Sequence, residues 1–175
     1  MNWPNRLSIL RIACVPLLVL FLSLPPAWCR WAALAVFALA SFTDFLDGYL
    51  ARKNQWVTVF GKFIDPVADK LLVLSTMIML ASLHLLPAWM VILILARELS
   101  VDGLRMIAVS QGKVIAAGPL GKIKTISQMI LILWILAFRT AVFSSPISLV
   151  MGLWVCFITL WSGIDYFRHN LSVFH

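Results

Sequence analysis

Four of the seven acidic residues in this chain lie within one short stretch, Ser41–Lys70. They form two pairs, Asp44 with Asp47 and Asp65 with Asp69, and a spacing of three or four residues places the members of a pair on one face of a helix. The short connection between the two helices is expected to turn these faces towards each other. Hard oxygen ligands in this number suit Mg²⁺, Mn²⁺ or Ca²⁺. Paired divalent ions are a common device for phosphoryl displacement.

Small residues accompany the first acidic pair. Gly48 and Ala51 fall on the same helical face, with Arg52 at its edge, so a flat or bulky ligand such as a nucleotide would fit against the backbone beside the carboxylates. The alternative is a set of structural ion pairs with Arg52, Lys62 and Lys70. That alternative explains neither the glycine nor the number of acids.

A second group of residues is basic. Arg97, Arg105, Lys122 and Lys124 are expected at the same level of the molecule as the aspartates. Phosphate is bound by Arg through paired hydrogen bonds and by Lys as a point charge, which favours an anionic second substrate. The alternative is contact with anionic lipid headgroups, above all for Lys113 and Lys124.

The rest of the chain predicts the elements that position these residues. Of the 175 residues, 62% are hydrophobic and 12% are charged, whereas about a quarter are charged in soluble domains. Each of six apolar runs can be extended to the ~20 residues of a spanning helix. We therefore expect an all-α integral membrane protein with about six transmembrane helices, in a single domain over 1–175. The runs are Val15–Leu24, Trp31–Ser41, Leu71–Leu83, Ala88–Ala96, Ile126–Ala137 and Ile147–Leu160.

The basic residues also predict an orientation. With alternating spans and a cytoplasmic N-terminus, all the Lys and Arg residues except Arg30 and Arg139 lie on the inner side. Both termini and the acidic cluster are then expected to face the cytoplasm. Arg11 interrupts the first apolar run, so no cleaved signal is expected. Nucleic acid is not an expected partner, because the basic residues are not gathered on a soluble domain.

The acidic stretch resembles, at every position, the full signature of the CDP-alcohol phosphotransferases: Asp44-x-x-Asp47-Gly48-x-x-Ala51-Arg52, eight residues, then Gly61-x-x-x-Asp65-x-x-x-Asp69. The resemblance implies the membrane fold of that family, a CDP-linked donor, an alcohol acceptor and two divalent cations, Mg²⁺ or Mn²⁺. It implies metal binding by all four aspartates, with Asp69 also the base towards the acceptor hydroxyl. The implied CDP-binding residues are Asn5, Gly48, Ala51, Arg52 and Gly61.

A second resemblance concerns the acceptor. The segment Ala96–Thr125 is similar to the same region of bacterial family members that use sn-glycerol 3-phosphate as acceptor and CDP-diacylglycerol as donor. It implies that Arg97, Arg105 and Lys122 bind the glycerol phosphate. It also implies a homodimer in the bacterial inner (cytoplasmic) membrane. Glu98 and Asp102 are expected either to orient the arginines or to be helix-surface charges.

Two alternatives stay open from the sequence. One is a CDP-alcohol phosphotransferase with another acceptor, such as inositol phosphate, which would also need a basic pocket. The other is a divalent-cation transporter that uses the same aspartates as its binding site. The transporter gives no reason for Gly48, Ala51, Arg52 or the basic group.

Overall fold

The computed structural model describes residues 3–54, 59–113, 115 and 118–170. Within these ranges it describes every side chain except those of residues 3–6, 44–54, 59–63 and 66. The described residues form six α-helices and one short 3-10 helix, and they contain no strand, so the all-α expectation is confirmed for them. The helices are α1 (Trp3–Ser23), α2 (Ala27–Asn54), α3 (Val59–Ser82), α4 (Ala88–Ser110), α5 (Pro119–Phe138) and α6 (Pro146–His169), with the 3-10 turn Val142–Ser144 before α6.

Each of the six apolar runs falls on its own helix, except that Leu24 and Leu83 lie one residue beyond the ends of α1 and α3. By length and hydropathy, α5 and α6 are long and apolar enough to cross a membrane, and α1 and α2 contain shorter apolar segments, Leu7–Ser23 and Ala27–Thr43. The number of spans therefore remains a prediction. The surface is consistent with a membrane protein, because large apolar side chains are exposed on every helix. Examples are Leu20, Leu39, Ile78, Ile92, Ile130 and Val150.

Proline marks the beginnings of the last three helices. Pro87 precedes α4, and α5 and α6 begin at Pro119 and Pro146, where the missing N–H group would have had no partner within the helix. Helix α5 ends at Phe138, and the next residue, Arg139, has a left-handed backbone with φ 50° and ψ 37°. Such a residue stops the helix and reverses the chain.

Successive helices run in alternating directions, because three connections meet at one end of the molecule. Leu24, Arg30, Leu85 and Arg139 from these connections and their flanks line one cavity of about 260 Å³. There the Val142 N–H donates a hydrogen bond of 2.9 Å to the Leu85 carbonyl. The two arginines that the sequence assigns to one side of the membrane therefore share one end of the structure.

The core lies where α1, α2, α3 and α5 meet, and α4 and α6 close it on the other side. Helix α1 packs against α2 and α3, and it contacts each of them more extensively than they contact each other among the described residues. The core is filled by Leu18, Phe37, Met77, Ile94 and Ile132, all of which are fully buried. Helix α1 therefore holds α2 and α3 together over the described residues.

Close packing around α6 depends on a small residue. A Cβ atom on Gly152 would lie 2.8 Å from Val142 Cγ1 and 3.3 Å from Met90 Cε. Because lipid tails are as apolar as leucine, helices in a bilayer associate through such close contacts and through interhelical hydrogen bonds. One such bond joins Trp134 Nε1 to Ser148 Oγ at 3.1 Å.

Candidate active site

The acidic face of α3 lies near the beginning of that helix. Asp65 and Asp69 are one turn apart, and both side chains are partly buried. Ser8 of α1, which is only 1% exposed, donates its hydroxyl hydrogen bond to Asp65 Oδ1. Helix α1 therefore orients one oxygen of the Asp65 carboxylate.

The other residues predicted to bind metal or nucleotide lie on α1, α2 and α3 at positions whose side chains the structure does not describe. Their convergence on one point therefore stays a prediction. The described side chains contain no group of three possible metal ligands. The two described carboxylates on one face of α3 nevertheless match the hard oxygen donors that Mg²⁺ and Mn²⁺ prefer. The residues concerned are Asn5 on α1, Asp44, Asp47, Gly48, Ala51 and Arg52 on α2, and Gly61 on α3.

A group of charges with a buried centre lies beside the α3 face. We call it the charge cluster; it is formed by Lys70, Arg97, Glu98, Asp102 and Lys124. Glu98 is its centre and is 4% exposed. Glu98 Oε1 accepts hydrogen bonds from Lys124 Nζ and, at 3.2 Å, from Arg97 Nη1. Glu98 Oε2 lies 3.6 Å from Lys70 Nζ. One carboxylate thus joins cations from α3, α4 and α5.

Asp102 completes the charge cluster. Both of its carboxylate oxygens accept hydrogen bonds from Lys70 Nζ. The sequence left open whether Glu98 and Asp102 orient the arginines. Glu98 does contact Arg97, whereas Asp102 binds Lys70, the residue next to Asp69 in the chain.

A small cavity of about 40 Å³ connects Asp69 with the charge cluster. A space of this size holds a few water molecules. Helices α4 and α5 contribute only polar residues to its lining, whereas α3 contributes two charged and two apolar residues. The lining residues are Asp69, Lys70, Val73, Leu74, Glu98, Lys124, Thr125 and Gln128.

The three residues predicted to bind glycerol phosphate have different surroundings. Arg97 belongs to the charge cluster, and a Cβ atom on Gly163 of α6 would lie 3.1 Å from its Cγ, so this glycine makes room for the arginine. Arg105 donates a hydrogen bond of 3.0 Å from Nε to the Tyr166 hydroxyl, and its guanidinium lies 5.4 Å from the centre of the same ring. Lys122 is exposed.

Sequence reasoning missed three pairings of this site. It did not identify Ser8 as a partner of Asp65, or Tyr166 as a partner of Arg105. It also left open a lipid-headgroup role for Lys124, whereas Lys124 is 4% exposed and paired with Glu98. The only local signal was the four-residue spacing of Glu98 and Asp102, which places both on one face of α4.

Comparison with known proteins agrees with these features. A sequence model of the CDP-alcohol phosphatidyltransferase family matches residues 1–161. The chain therefore belongs to the CDP-alcohol phosphatidyltransferase family.

Relatives match over almost the whole chain. One from Bacillus subtilis (strain 168) is 42% identical over 97% of this chain and 95% of its own length. Relatives from Escherichia coli (strain K12) and Shigella flexneri are each 34% identical over 94% of this chain and 92% of theirs. All three are named CDP-diacylglycerol–glycerol-3-phosphate 3-phosphatidyltransferase.

Proposed function

We propose that this chain transfers the phosphatidyl group from CDP-diacylglycerol to sn-glycerol 3-phosphate, which gives phosphatidylglycerophosphate and CMP. It is then a phosphatidylglycerophosphate synthase of anionic phospholipid biosynthesis. The observation that carries the proposal is the near full-length similarity to relatives whose names state this donor and acceptor. The cations gathered beside Asp69, of which Lys124 is buried, support an anionic acceptor over a neutral one.

The membrane arrangement is part of the proposal. Six spans would place the connections around Arg30 and Arg139 outside and the charge cluster inside, in the bacterial inner membrane. The separation of these groups to opposite ends of alternating helices supports this arrangement. The diacylglycerol tails would stay in the bilayer, and the acceptor would enter from the cytoplasm.

The four aspartates Asp44, Asp47, Asp65 and Asp69 would hold two divalent cations. When bound, such ions neutralise charge that builds on the leaving CMP. Ser8 orients Asp65 through its hydrogen bond. Asp69 accepts the proton from the acceptor hydroxyl as that oxygen attacks the phosphorus next to CMP.

The nucleotide would lie along the acidic helix. Gly48 and Ala51 leave space beside the backbone, and Arg52 and Asn5 are expected to contact the phosphates. Gly61, on the next helix, would line the same site. These assignments follow the family signature, which this chain fills at every position.

Arg97, Arg105 and Lys122 would bind the acceptor phosphate. Arg105 is the best oriented of the three, because Tyr166 accepts a hydrogen bond from its Nε and the guanidinium also lies over the Tyr166 ring. Arg97 donates a hydrogen bond to Glu98, and its side chain packs closely against Gly163 of α6.

The deciding experiment measures CMP release by purified protein with CDP-diacylglycerol and Mg²⁺, with and without sn-glycerol 3-phosphate. Release that depends on glycerol phosphate supports the proposed reaction. Release only with inositol phosphate would keep the aspartate chemistry and overturn the acceptor. Without release, metal flux into liposomes would distinguish the divalent-cation transporter.

We also propose that the protein is a homodimer, as the family resemblance implies. Light scattering of the purified protein in detergent would measure its mass. A monomer of the mass expected from 19.6 kDa of chain would contradict this.

A further inference from the structure

Lys124 lies beside two carboxylates, those of Glu98 and Asp69. Its ammonium donates a hydrogen bond to Glu98, and it lines the same small cavity as Asp69. The two side chains therefore border one shared space of about 40 Å³. Lysine is a flexible point charge that can turn between neighbouring anions, so the two carboxylates compete for this one ammonium.

In the structure Lys124 binds Glu98, and the surroundings of Glu98 explain why. Its Oε1 oxygen binds both Lys124 and Arg97, and its Oε2 oxygen faces Lys70. The side chain is 6% exposed, as is that of Lys124, so water screens their attraction little. The other acid of the cluster, Asp102, is held by Lys70.

We propose that Glu98 is a positioning residue that holds Lys124 away from Asp69, so that Lys124 does not compete with a divalent cation for the Asp69 carboxylate. This inference rests on the proposed function, because it takes Asp69 to be a metal ligand. It gives Glu98 a role that neither an acceptor-binding residue nor a simple structural ion pair would have.

Loss of the Glu98 charge should therefore lower metal affinity. In Glu98→Gln the cavity of about 40 Å³ gives the Lys124 side chain space to turn, and Asp69 is the carboxylate it shares that space with. A bound cation would then have to displace an ammonium. An ammonium in contact with a partly buried carboxylate opposes cation binding there strongly enough to weaken it by roughly tenfold or more.

The test measures Mn²⁺ binding directly. The full-length protein in detergent is titrated with Mn²⁺, and the electron paramagnetic resonance signal gives the concentration of free Mn²⁺. Glu98→Gln should bind Mn²⁺ at least about tenfold more weakly than the wild type, because the Lys124 ammonium then opposes the cation at Asp69. The double variant Glu98→Gln/Lys124→Met should recover wild-type affinity, because the competing ammonium is gone and the buried pair is replaced by two neutral side chains.

Two further variants serve as controls. Lys124→Met alone should bind Mn²⁺ as the wild type does, because Glu98 keeps Arg97 and Lys70 as partners. Asp165→Asn removes a carboxylate from α6, where its partner is His169, and should leave Mn²⁺ affinity unchanged.

Two results would overturn the inference: unchanged Mn²⁺ affinity in folded Glu98→Gln, or weak binding that Lys124→Met does not restore. If Glu98→Gln does not fold, Glu98→Asp replaces it, since the shorter carboxylate loosens its hold on Lys124. Mn²⁺ binding should then be weaker in Glu98→Asp than in Glu98→Asp/Lys124→Met, and equal affinities would overturn the inference. A wild type that binds Mn²⁺ but releases no CMP with any acceptor contradicts the proposed function instead.

Discussion

Ser8 of α1 donates a hydrogen bond to Asp65 of α3, although the two residues are 57 positions apart in the chain. The contact links the first helix to the acidic face and fixes one oxygen of a predicted metal ligand. Helix α1 is thus part of the candidate active site as well as part of the core.

The variant Ser8→Ala should weaken the use of divalent cations. Without the hydroxyl, Asp65 loses its orienting partner, so the Mg²⁺ concentration that gives half-maximal CMP release should rise roughly tenfold. Ser23→Ala is the matched control, because Ser23 lies on the same helix. Among the described residues its hydroxyl donates a hydrogen bond only to the backbone carbonyl of Val19. Equal Mg²⁺ dependence in Ser8→Ala and the control would contradict a role for Ser8.

The variant Asp69→Asn should abolish turnover and leave the protein folded. The amide is nearly the same size as the carboxylate but accepts no proton at neutral pH. CMP release measures turnover, and thermal unfolding in detergent measures the fold. Near-normal activity of this variant would remove Asp69 from the role of base.

The variant Arg105→Ala should raise the KM for glycerol phosphate more than the KM for CDP-diacylglycerol. A hydrogen bond to a charged group contributes about 1.5–3 kcal/mol, which corresponds to a KM change of roughly tenfold to a hundredfold. Tyr166→Phe should act in the same direction and more weakly, because it removes only the hydroxyl that orients Arg105.

Arg30→Ala is the control for this pair, since Arg30 lies at the other end of the molecule over the Trp31 ring. Initial rates with each substrate varied in turn give both KM values. A larger effect on CDP-diacylglycerol than on glycerol phosphate would remove Arg105 from the acceptor site.

The variant Gly152→Ala should destabilise the fold. The new Cβ atom would lie 2.8 Å from Val142 Cγ1, so the 3-10 turn or Met90 must move. Overpacking of this kind costs about 1–3 kcal/mol. Gly103→Ala on α4 is the control, because its Cβ would meet nothing within 4 Å, and alanine favours a helix. The midpoint temperature of thermal unfolding in detergent should fall for Gly152→Ala and not for Gly103→Ala.

The contacts within the helices were predictable from the sequence. The acidic and small residues repeat at three and four positions, and this period alone puts Asp65 and Asp69 on one face of α3. Apolar runs and prolines located the six helices for the same local reason. The family signature then indicated the chemistry, and the match over residues 1–161 confirmed the family.

The direction in which each helix faces was not predictable. Leu18 is fully buried, whereas Leu17 is 41% exposed and Leu20 is 53% exposed. In a lipid-facing helix both sides are apolar, so the hydrophobic pattern does not distinguish the core side from the lipid side. The sequence could not tell from such runs that α1 packs against both α2 and α3.

The sequence by itself determined the helices, the acidic face of α3 and the family, because these depend on residues near one another in the chain. Only the tertiary structure decided that Lys124 pairs with Glu98 over 26 positions, and Arg105 with Tyr166 over 61. Such pairings depend on how helices rotate and cross, which is set by close packing of many side chains at once. That packing brought cations of α3, α4 and α5 to one buried carboxylate, Glu98, beside Asp69.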